Sequence, residues 1–224
     1  MDTGSKKTLI FDVDGTLAPH GAPMAQTVAA ALCALERRGH TIGFASGKTA
    51  AYLEGLARGI GLERAVIIAE NGAVILTAGM ETALAERPAF FDRLHGEIAR
   101  LFPGARLQHN QVNLTALAHG ETLAAVTAHL QQAGVCDGKS CRFYLHSDSV
   151  ELLPKGVDKG RAIFELKRLR GIGTADVIAA GNAENDLPMR GEAGLFLAVG
   201  DEINADKRFE NAEALMAHLL ETCR

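Results

Sequence analysis

The 224-residue sequence predicts an α/β protein with a Rossmann-like parallel sheet core and a small inserted α+β domain. Apolar, β-branched runs alternate with segments of helical periodicity towards both ends of the chain, a pattern typical of a parallel sheet. Between residues 80 and 153 the order changes to helix, two strands, helix, two strands. Hydrophobic residues make up 47% of the chain, which is enough for a proper core.

The amino-terminal elements alternate between strand and helix. Strands are predicted at Thr8–Val13, Thr41–Ala45 and Ala65–Ala69, because each run is apolar and contains β-branched or aromatic residues. Helical spacing of apolar residues predicts a helix after each of the first two strands. Asn71-Gly72 predicts a tight turn that needs positive φ and leads into a fourth strand over Ala73–Leu76.

The predicted inserted domain has the order αββαββ. Its elements are expected at Phe90–Leu101, Arg106–His109, Val112–Leu117, Glu121–Gln132, Arg142–His146 and Val150–Leu153. The alternation then returns, with a helix around Ile163–Leu169, strands at Asp176–Ala180 and Gly194–Val199, and a last helix over Ala212–Leu220. We therefore predict a core of residues 1–79 and 154–224, and an inserted, lid-like cap domain of residues 80–153.

The bulk composition limits the partners that the protein can have. The net charge of −4 and the absence of a basic stripe argue against a nucleic-acid partner. No apolar stretch is long enough to span a bilayer, and the first residues lack the apolar region of a signal peptide. The cysteines form no CxxC pair, which favours free thiols in a reducing cytoplasm: Cys33, Cys136, Cys141 and Cys223. No sequence feature distinguishes a monomer from a homodimer.

Two carboxylates stand next to the buried apolar run Leu9–Phe11, in the stretch LIFDVDGTL. Burying a carboxylate costs several kcal/mol unless it is paired, hydrogen-bonded or bound to a metal. Asp12 and Asp14 therefore either form an ordinary polar turn or hold a ligand.

Three further polar clusters favour the ligand. They are Ser46-Gly47-Lys48, Lys159 and the run Gly181–Asp186, and two of them follow predicted strands. Ligands of open parallel sheets bind at the carboxyl ends of the strands, where these clusters would meet. Carboxylate and carbonyl oxygens suit Mg²⁺, and a lysine with backbone N–H groups at a helix start suits a phosphate. A carboxylate can attack phosphorus, and a second can transfer the proton.

At these residues the sequence resembles the haloacid dehalogenase-like phosphatase superfamily. FDVDGTL resembles its DxDGT motif, FASGK the second motif, Lys159 in VDKG the third, and GNAEND the fourth, usually written GDxxND. The ENGA element at Glu70–Ala73 and the midchain insert resemble the Cof-type (subclass IIB cap) branch. SGKT, ENGA and NDLPM are similar to mannosyl-3-phosphoglycerate phosphatases, and the short chain is similar to archaeal-type phosphoglycolate phosphatases.

The resemblance implies a role for each residue of the four motifs. Asp12 would be the nucleophile, Asp14 the general acid and base, and Lys159 the group that neutralises the phosphate and orients Asp12. The substrate phosphate would be bound by Ser46, Gly47, Lys48 and Asn185. Mg²⁺ would be held by Asp12, the backbone carbonyl of Asp14, Asn182 and Asp186, the last either directly or through water.

Simpler readings of single residues stay open. Ser46 could cap the following helix, Lys48 could be a solvated charge, and Asn71-Gly72 could serve the turn alone. Glu70 could be a solvent-facing charge or a residue that supports the site.

One position departs from the family pattern. Asn182 stands where the family usually has an aspartate that binds the metal, so we expect weakened Mg²⁺ binding. We predict a Mg²⁺-dependent phosphatase that acts on a small phosphorylated sugar or hydroxy acid through an aspartyl-phosphate. A phosphomutase, a non-catalytic binder of a phosphorylated metabolite and, more distantly, a receiver-like domain are the alternatives.

Overall fold

The structure is a computed structural model that describes residues 6–134 and 141–224. Of the predicted free cysteines, Cys136 lies outside the described residues, and the other three are free thiols: Cys33, Cys141 and Cys223. The chain divides into two compact units. The core unit comprises Met1–Thr82 and Asp158–Arg224, and the inserted unit comprises Ala83–Val157. No described helix combines the length and the hydropathy that a membrane crossing requires.

The core unit is built on an eight-stranded sheet. In chain order its strands are β1 (Thr8–Phe11), β2 (Thr41–Ala45), β3 (Val66–Ala69), β4 (Val74–Thr77), β5 (Met80–Ala83), β10 (Val177–Gly181), β11 (Leu195–Val199) and β12 (Lys207–Phe209). Their spatial order is β12-β11-β10-β1-β2-β3-β4-β5, and the first six of these run parallel. The predicted α/β fold class is therefore confirmed.

The core unit also contains helices, most of which follow a parallel strand. They are α1 (Gln26–Arg37), α2 (Ala50–Gly59), α5 (Lys159–Arg170), α6 (Leu187–Arg190) and α7 (Ala212–Thr222). Every residue of β1, β3 and β10 is buried, because both faces of a parallel sheet are covered. Ser46 does not cap α2, contrary to one reading of the sequence. The helix begins only at Ala50, and the Thr49 side chain accepts the N–H of Tyr52.

The turn after β3 has the predicted positive φ angles. β3 and β4 pair antiparallel, as the Asn-Gly signal indicates. Asn71 has φ 53° and Gly72 has φ 100°, and Glu70 also has φ 52°, which the sequence did not indicate. This turn, Glu70–Gly72, lies directly after the carboxyl end of β3.

The inserted unit has the predicted element order. It contains α3 (Ala89–Leu101), β6 (Arg106–Leu107), β7 (Leu114–Leu117), α4 (Gly120–Gln132), β8 (Cys141–Leu145) and β9 (Ser149–Pro154). The strands form an antiparallel sheet in the order β6-β7-β9-β8. Apolar residues of both helices pack on this sheet, so the unit has a hydrophobic core of its own.

Three features differ from the predicted elements. β1 ends at Phe11, so Asp12 begins the loop and is not part of the strand. β5 and β12 were not predicted, because exposed edge strands such as these carry few apolar residues. β6 is shorter than predicted and ends at Leu107.

Candidate active site

Three loops meet at one edge of the core sheet because their strands are neighbours. Asp12 follows the last residue of β1, Ser46 follows β2, and Asn182 follows β10. β1 lies between β2 and β10 and runs parallel to both, so the carboxyl ends of all three strands lie at the same edge. This edge is where ligands of open α/β sheets bind.

Lys159 lies at the centre of the site, at the first position of α5. Its ammonium nitrogen is 2.7 Å from Asp12 Oδ1 and 2.6 Å from Asp186 Oδ1. Lys159 is 1% exposed, Asp12 is 6% exposed and Asp186 is fully buried. One buried ammonium therefore bridges two buried carboxylates, which leaves this triad with one net negative charge.

Burial and charge act against each other in this triad. Burial raises the pKa of Asp12 to about 6; the Lys159 charge opposes the rise, and the charge of Asp186 adds to it. Burial by itself would lower the pKa of Lys159, but the charges of Asp12 and Asp186 outweigh it and raise the pKa above its ordinary value. Lys159 therefore stays charged at neutral pH and keeps Asp12 oriented.

Asp186 uses both carboxylate oxygens inside the protein. Oδ1 accepts from Lys159, and Oδ2 accepts the backbone N–H groups of Asn182 at 2.9 Å and Ala183 at 3.0 Å. These bonds hold the loop after β10 against the lysine. Asp186 therefore supports Lys159 and Asn182 in this structure, and its role as a ligand of Mg²⁺ or of the metal's waters stays a prediction.

Asp14 has a different environment from Asp12. Its carboxylate is about one-third exposed and lies 3.4 Å from the ammonium group of Lys48, which is exposed to a similar extent. A partly exposed carboxylate can exchange protons with water. The two aspartates of the first motif therefore differ in burial: Asp12 is buried and held by Lys159, whereas Asp14 is accessible to solvent.

Asn182 contacts the two oxygens that were expected to bind metal. In the amide orientation that satisfies its neighbours, the nitrogen donates to Asp12 Oδ2 at 3.2 Å and to the Asp14 carbonyl at 3.2 Å. The same nitrogen lies 3.0 Å from Thr16 Oγ1. Gly15 makes the packing possible, because it has φ 88° and a Cβ there would overlap the Asn182 amide.

The donor set at this point fits a hard divalent cation. Asp12 Oδ2 and the Asp14 carbonyl converge on one place, and a half-turn of the Asn182 amide would direct a third oxygen there. Within residues 6–134 and 141–224, His, Cys, Asp and Glu side chains form no cluster of three that could hold a metal. A site here therefore depends on a carbonyl and an amide as well as on Asp12.

The four predicted phosphate-binding residues lie on two loops. Ser46 is buried, and its Oγ accepts the backbone N–H of Lys48 at 3.3 Å, which closes the Ser46-Gly47-Lys48 turn. Lys48 points its ammonium group towards Asp14. Asn185 lies on the loop after β10, where its Nδ2 donates to Asn71 Oδ1 at 3.3 Å.

Sequence reasoning gave no role to Thr16, which connects the site. Its hydroxyl donates to Asp12 Oδ2 at 3.1 Å and is a hydrogen-bond neighbour of Asn182. Thr16 is 1% exposed. Its position four residues after Asp12 at a tight turn was the available signal, because a buried hydroxyl near a carboxylate needs a partner.

A parallel α/β sheet with polar and charged side chains at its carboxyl edge is typical of proteins that bind a ligand at this edge. The family profile described as haloacid dehalogenase-like hydrolase matches residues 9–95 and 108–213. The chain belongs to this family. The prediction of an enzyme of the phosphatase class is thereby confirmed.

Curated relatives and solved structures agree with this assignment. The chain is 27% identical to a phosphoglycolate phosphatase of Methanopyrus kandleri over 94% of each chain. It is 28% identical to an HMP-PP phosphatase of Cronobacter sakazakii, over 85% of this chain and 83% of that protein. The fold is similar to a haloacid dehalogenase-like hydrolase from Bacteroides thetaiotaomicron, with a TM-score of 0.80 and 18% identity over 97% of this chain and all of that one.

Proposed function

We propose that the protein is a Mg²⁺-dependent phosphatase that hydrolyses a small phosphorylated metabolite through an aspartyl-phosphate. The observation that carries this proposal is the Lys159 ammonium group, which is buried between Asp12 and Asp186, while Asp14 of the same motif is about one-third exposed. A buried, oriented carboxylate next to a permanent positive charge suits attack on an anionic phosphorus.

Asp12 and Asp14 divide the chemistry between them. A carboxylate oxygen of Asp12 forms a bond to phosphorus, the bond from phosphorus to the substrate oxygen breaks, and Asp14 gives its proton to that oxygen. Water then attacks the phosphorus of the aspartyl-phosphate, loses a proton to Asp14 and releases inorganic phosphate. Both side chains return to their starting states.

The remaining residues bind and orient. Lys159 holds Asp12 and offsets the charge of the phosphate, while Ser46, Gly47, Lys48 and Asn185 offer donors to the phosphate oxygens. Asp12, the Asp14 carbonyl and Asn182 would hold Mg²⁺, and Asp186 would bind the metal or its waters while it also fixes the Asn182 loop. Bound Mg²⁺ would supply positive charge that stabilises the charge developing on the phosphoryl group.

The substrate class is supported by the relatives. Phosphoglycolate is the first candidate because several curated relatives are phosphoglycolate phosphatases, and another relative adds HMP-PP. Mannosyl-3-phosphoglycerate is a further candidate on the motif resemblance alone. We propose that the inserted unit acts as the cap that selects small substrates, and that the enzyme works in the cytoplasm as a monomer or homodimer.

The direct test is phosphate release from these esters and hexose phosphates by purified protein across a Mg²⁺ titration. We expect turnover that requires Mg²⁺, and the Asp12→Asn variant excludes a contaminating phosphatase. No turnover of any ester at saturating Mg²⁺ would contradict the proposal.

A second candidate, a non-catalytic binder of phosphorylated metabolites, is favoured by one observation. Asn182 donates hydrogen bonds to the oxygens that would hold the metal, so its amide nitrogen occupies the lone pairs that a metal ion would need. This candidate predicts binding of a phosphate ester without turnover, and it predicts that Asn182→Asp gains activity in the same assay.

A further inference from the structure

The Glu70–Gly72 turn contacts three of the four motif loops. The backbone N–H of Asn71 donates to the Ser46 carbonyl at 2.9 Å, and that of Glu70 donates to the Lys48 carbonyl at 3.0 Å. These two bonds hold both ends of the Ser46-Gly47-Lys48 turn. Gly72 packs against the backbone of Asp158, which caps α5 immediately before Lys159, so closely that a Cβ would overlap it.

The side chain of Asn71 reaches the fourth motif. Its Oδ1 accepts from Asn185 Nδ2 at 3.3 Å, across 114 residues of sequence. Asn185 Nδ2 has two hydrogens. It can donate one to Asn71 Oδ1 and the other to an oxygen of an anion. Asn71 is 3% exposed and Asn185 is partly exposed, so the contact is partly buried.

The backbone of this turn has an unfavourable conformation at two residues. Glu70 and Asn71 both have left-handed φ angles, 52° and 53°, and such angles cost about 1–3 kcal/mol for residues other than glycine. A hairpin turn alone would be served by glycine at position 71 without that cost. Asparagine also tolerates this φ, so the contact of its side chain with Asn185, and not the residue type, carries the inference.

We propose that Asn71 is a positioning residue of the active site. Its side chain orients the Asn185 amide towards the substrate phosphate, and its backbone fixes the Ser46 loop on the other side. Asn71 itself does not touch the substrate. This inference rests on the proposed function, because it assigns Asn185 to the phosphate.

Asn71→Gly tests the side chain alone, because glycine adopts the same φ and keeps the backbone N–H that bonds Ser46. We expect kcat/KM to fall about tenfold, the factor that one lost hydrogen bond of ordinary strength supplies. The fall should be mostly in KM, with a matching loss of affinity for inorganic phosphate measured by calorimetry. The midpoint of thermal unfolding should change little.

Two further variants separate positioning from stability. Ala78→Gly is the matched control, because Ala78 has φ 51° at an exposed site away from the motif loops, and we expect unchanged kinetics. If Asn71 acts through Asn185, then Asn71→Gly has little further effect in an Asn185→Ala background. Additive losses in the double variant would contradict the proposal.

The phosphate measurement distinguishes failure of the inference from failure of the proposed function. If the wild type binds inorganic phosphate but hydrolyses no ester, the proposed phosphatase function is wrong. The role of Asn71 is then decided by comparing the phosphate affinity of the wild type with that of Asn71→Gly. An active wild type with the same phosphate affinity and KM as Asn71→Gly overturns the inference alone. Absence of both turnover and phosphate binding in the wild type overturns both.

Discussion

The ammonium group of Lys159 lies 2.6 Å from Asp186, whose carboxylate is fully buried. The same nitrogen reaches Asp12 at 2.7 Å, so one lysine compensates two carboxylates that water does not solvate. A buried charge that loses its partner is far more costly than the pair is favourable. We therefore expect Lys159 to contribute to folding stability as well as to the proposed chemistry.

Lys159→Met should destabilise the protein by about 3–5 kcal/mol, because Asp12 and Asp186 would remain buried without their cation. Urea unfolding at neutral pH measures the loss. Adding Asp186→Asn should recover part of it, since the amide oxygen can still accept the N–H groups of Asn182 and Ala183 while one charge is removed. No recovery in the double variant would show that charge compensation is not the cause.

Asp12→Asn should abolish turnover, by about 10³-fold or more, because the amide is not a nucleophile. It should remain folded, since Asp186 still pairs Lys159 and burial disfavours the Asp12 charge. Phosphate release and thermal unfolding check the two statements. Asp201→Asn, an exposed change on the same unit, is the control. Full activity of Asp12→Asn would exclude Asp12 as the nucleophile.

Asn182→Asp should tighten Mg²⁺ binding on the order of tenfold, because a carboxylate replaces an amide at the predicted metal position. In EDTA the same variant should be less stable than the wild type by about 1–2 kcal/mol, since the new charge faces Asp12 Oδ2 and the Asp14 carbonyl. Thermal unfolding in EDTA and across a Mg²⁺ titration measures both effects. Asn204→Asp adds the same charge at an exposed position and should show neither.

Lys48→Met should raise KM for a phosphorylated substrate about five- to tenfold, because an ammonium group at the edge of the site is lost. Lys48→Arg should restore much of the affinity, and the exposed Lys207→Met should leave KM unchanged. Steady-state kinetics at low and high salt provides the measurement. An unchanged KM in Lys48→Met would support the simpler reading of Lys48 as a solvated charge.

His40 should make folding stability depend on pH. Burial lowers its pKa from 6.5; the backbone carbonyl of Cys223 opposes this, and the charges of Lys6, Arg38 and Lys7 add to it. The unfolded state then binds a proton that the folded state does not, so stability falls as pH drops through 6.5 towards the folded pKa. Urea unfolding at about pH 7.5 and about pH 5.5 should show a smaller loss in His40→Asn. Equal losses would mean that His40 is not responsible.

Much of the core could be predicted because its signals are local. The apolar runs of β1, β2 and β3 need only their own residues to identify them, and the Asn-Gly pair at 71–72 identifies its own turn. The edge strands β5 and β12 could not be found this way. Their residues are mostly exposed, so pairing with a neighbour, and not their composition, makes them strands.

In the candidate site, too, the residues could be predicted from local signals, whereas their contacts could not. Motif order identified Asp12, Asp14, Lys159 and the Asn182–Asp186 loop as candidates, since each stands beside a predicted strand or at a helix start. Their contacts could not be predicted. Thr16, Asn182 and Asp12 form one hydrogen-bonded group only because β1 and β10 are neighbours in the sheet, although Thr16 and Asn182 are separated by 166 residues.

The sequence by itself determined the α/β class, the order of the elements and the residues that carry reactive groups, because strand and helix periodicity and turn chemistry act over a few residues. The tertiary structure decided which of these groups are partners. It placed Lys159 between Asp12 and Asp186, directed the Asn182 amide at the predicted metal ligands and joined Asn71 to Asn185. Such contacts join residues far apart in sequence, and only the packing of the sheet and its helices sets their distances.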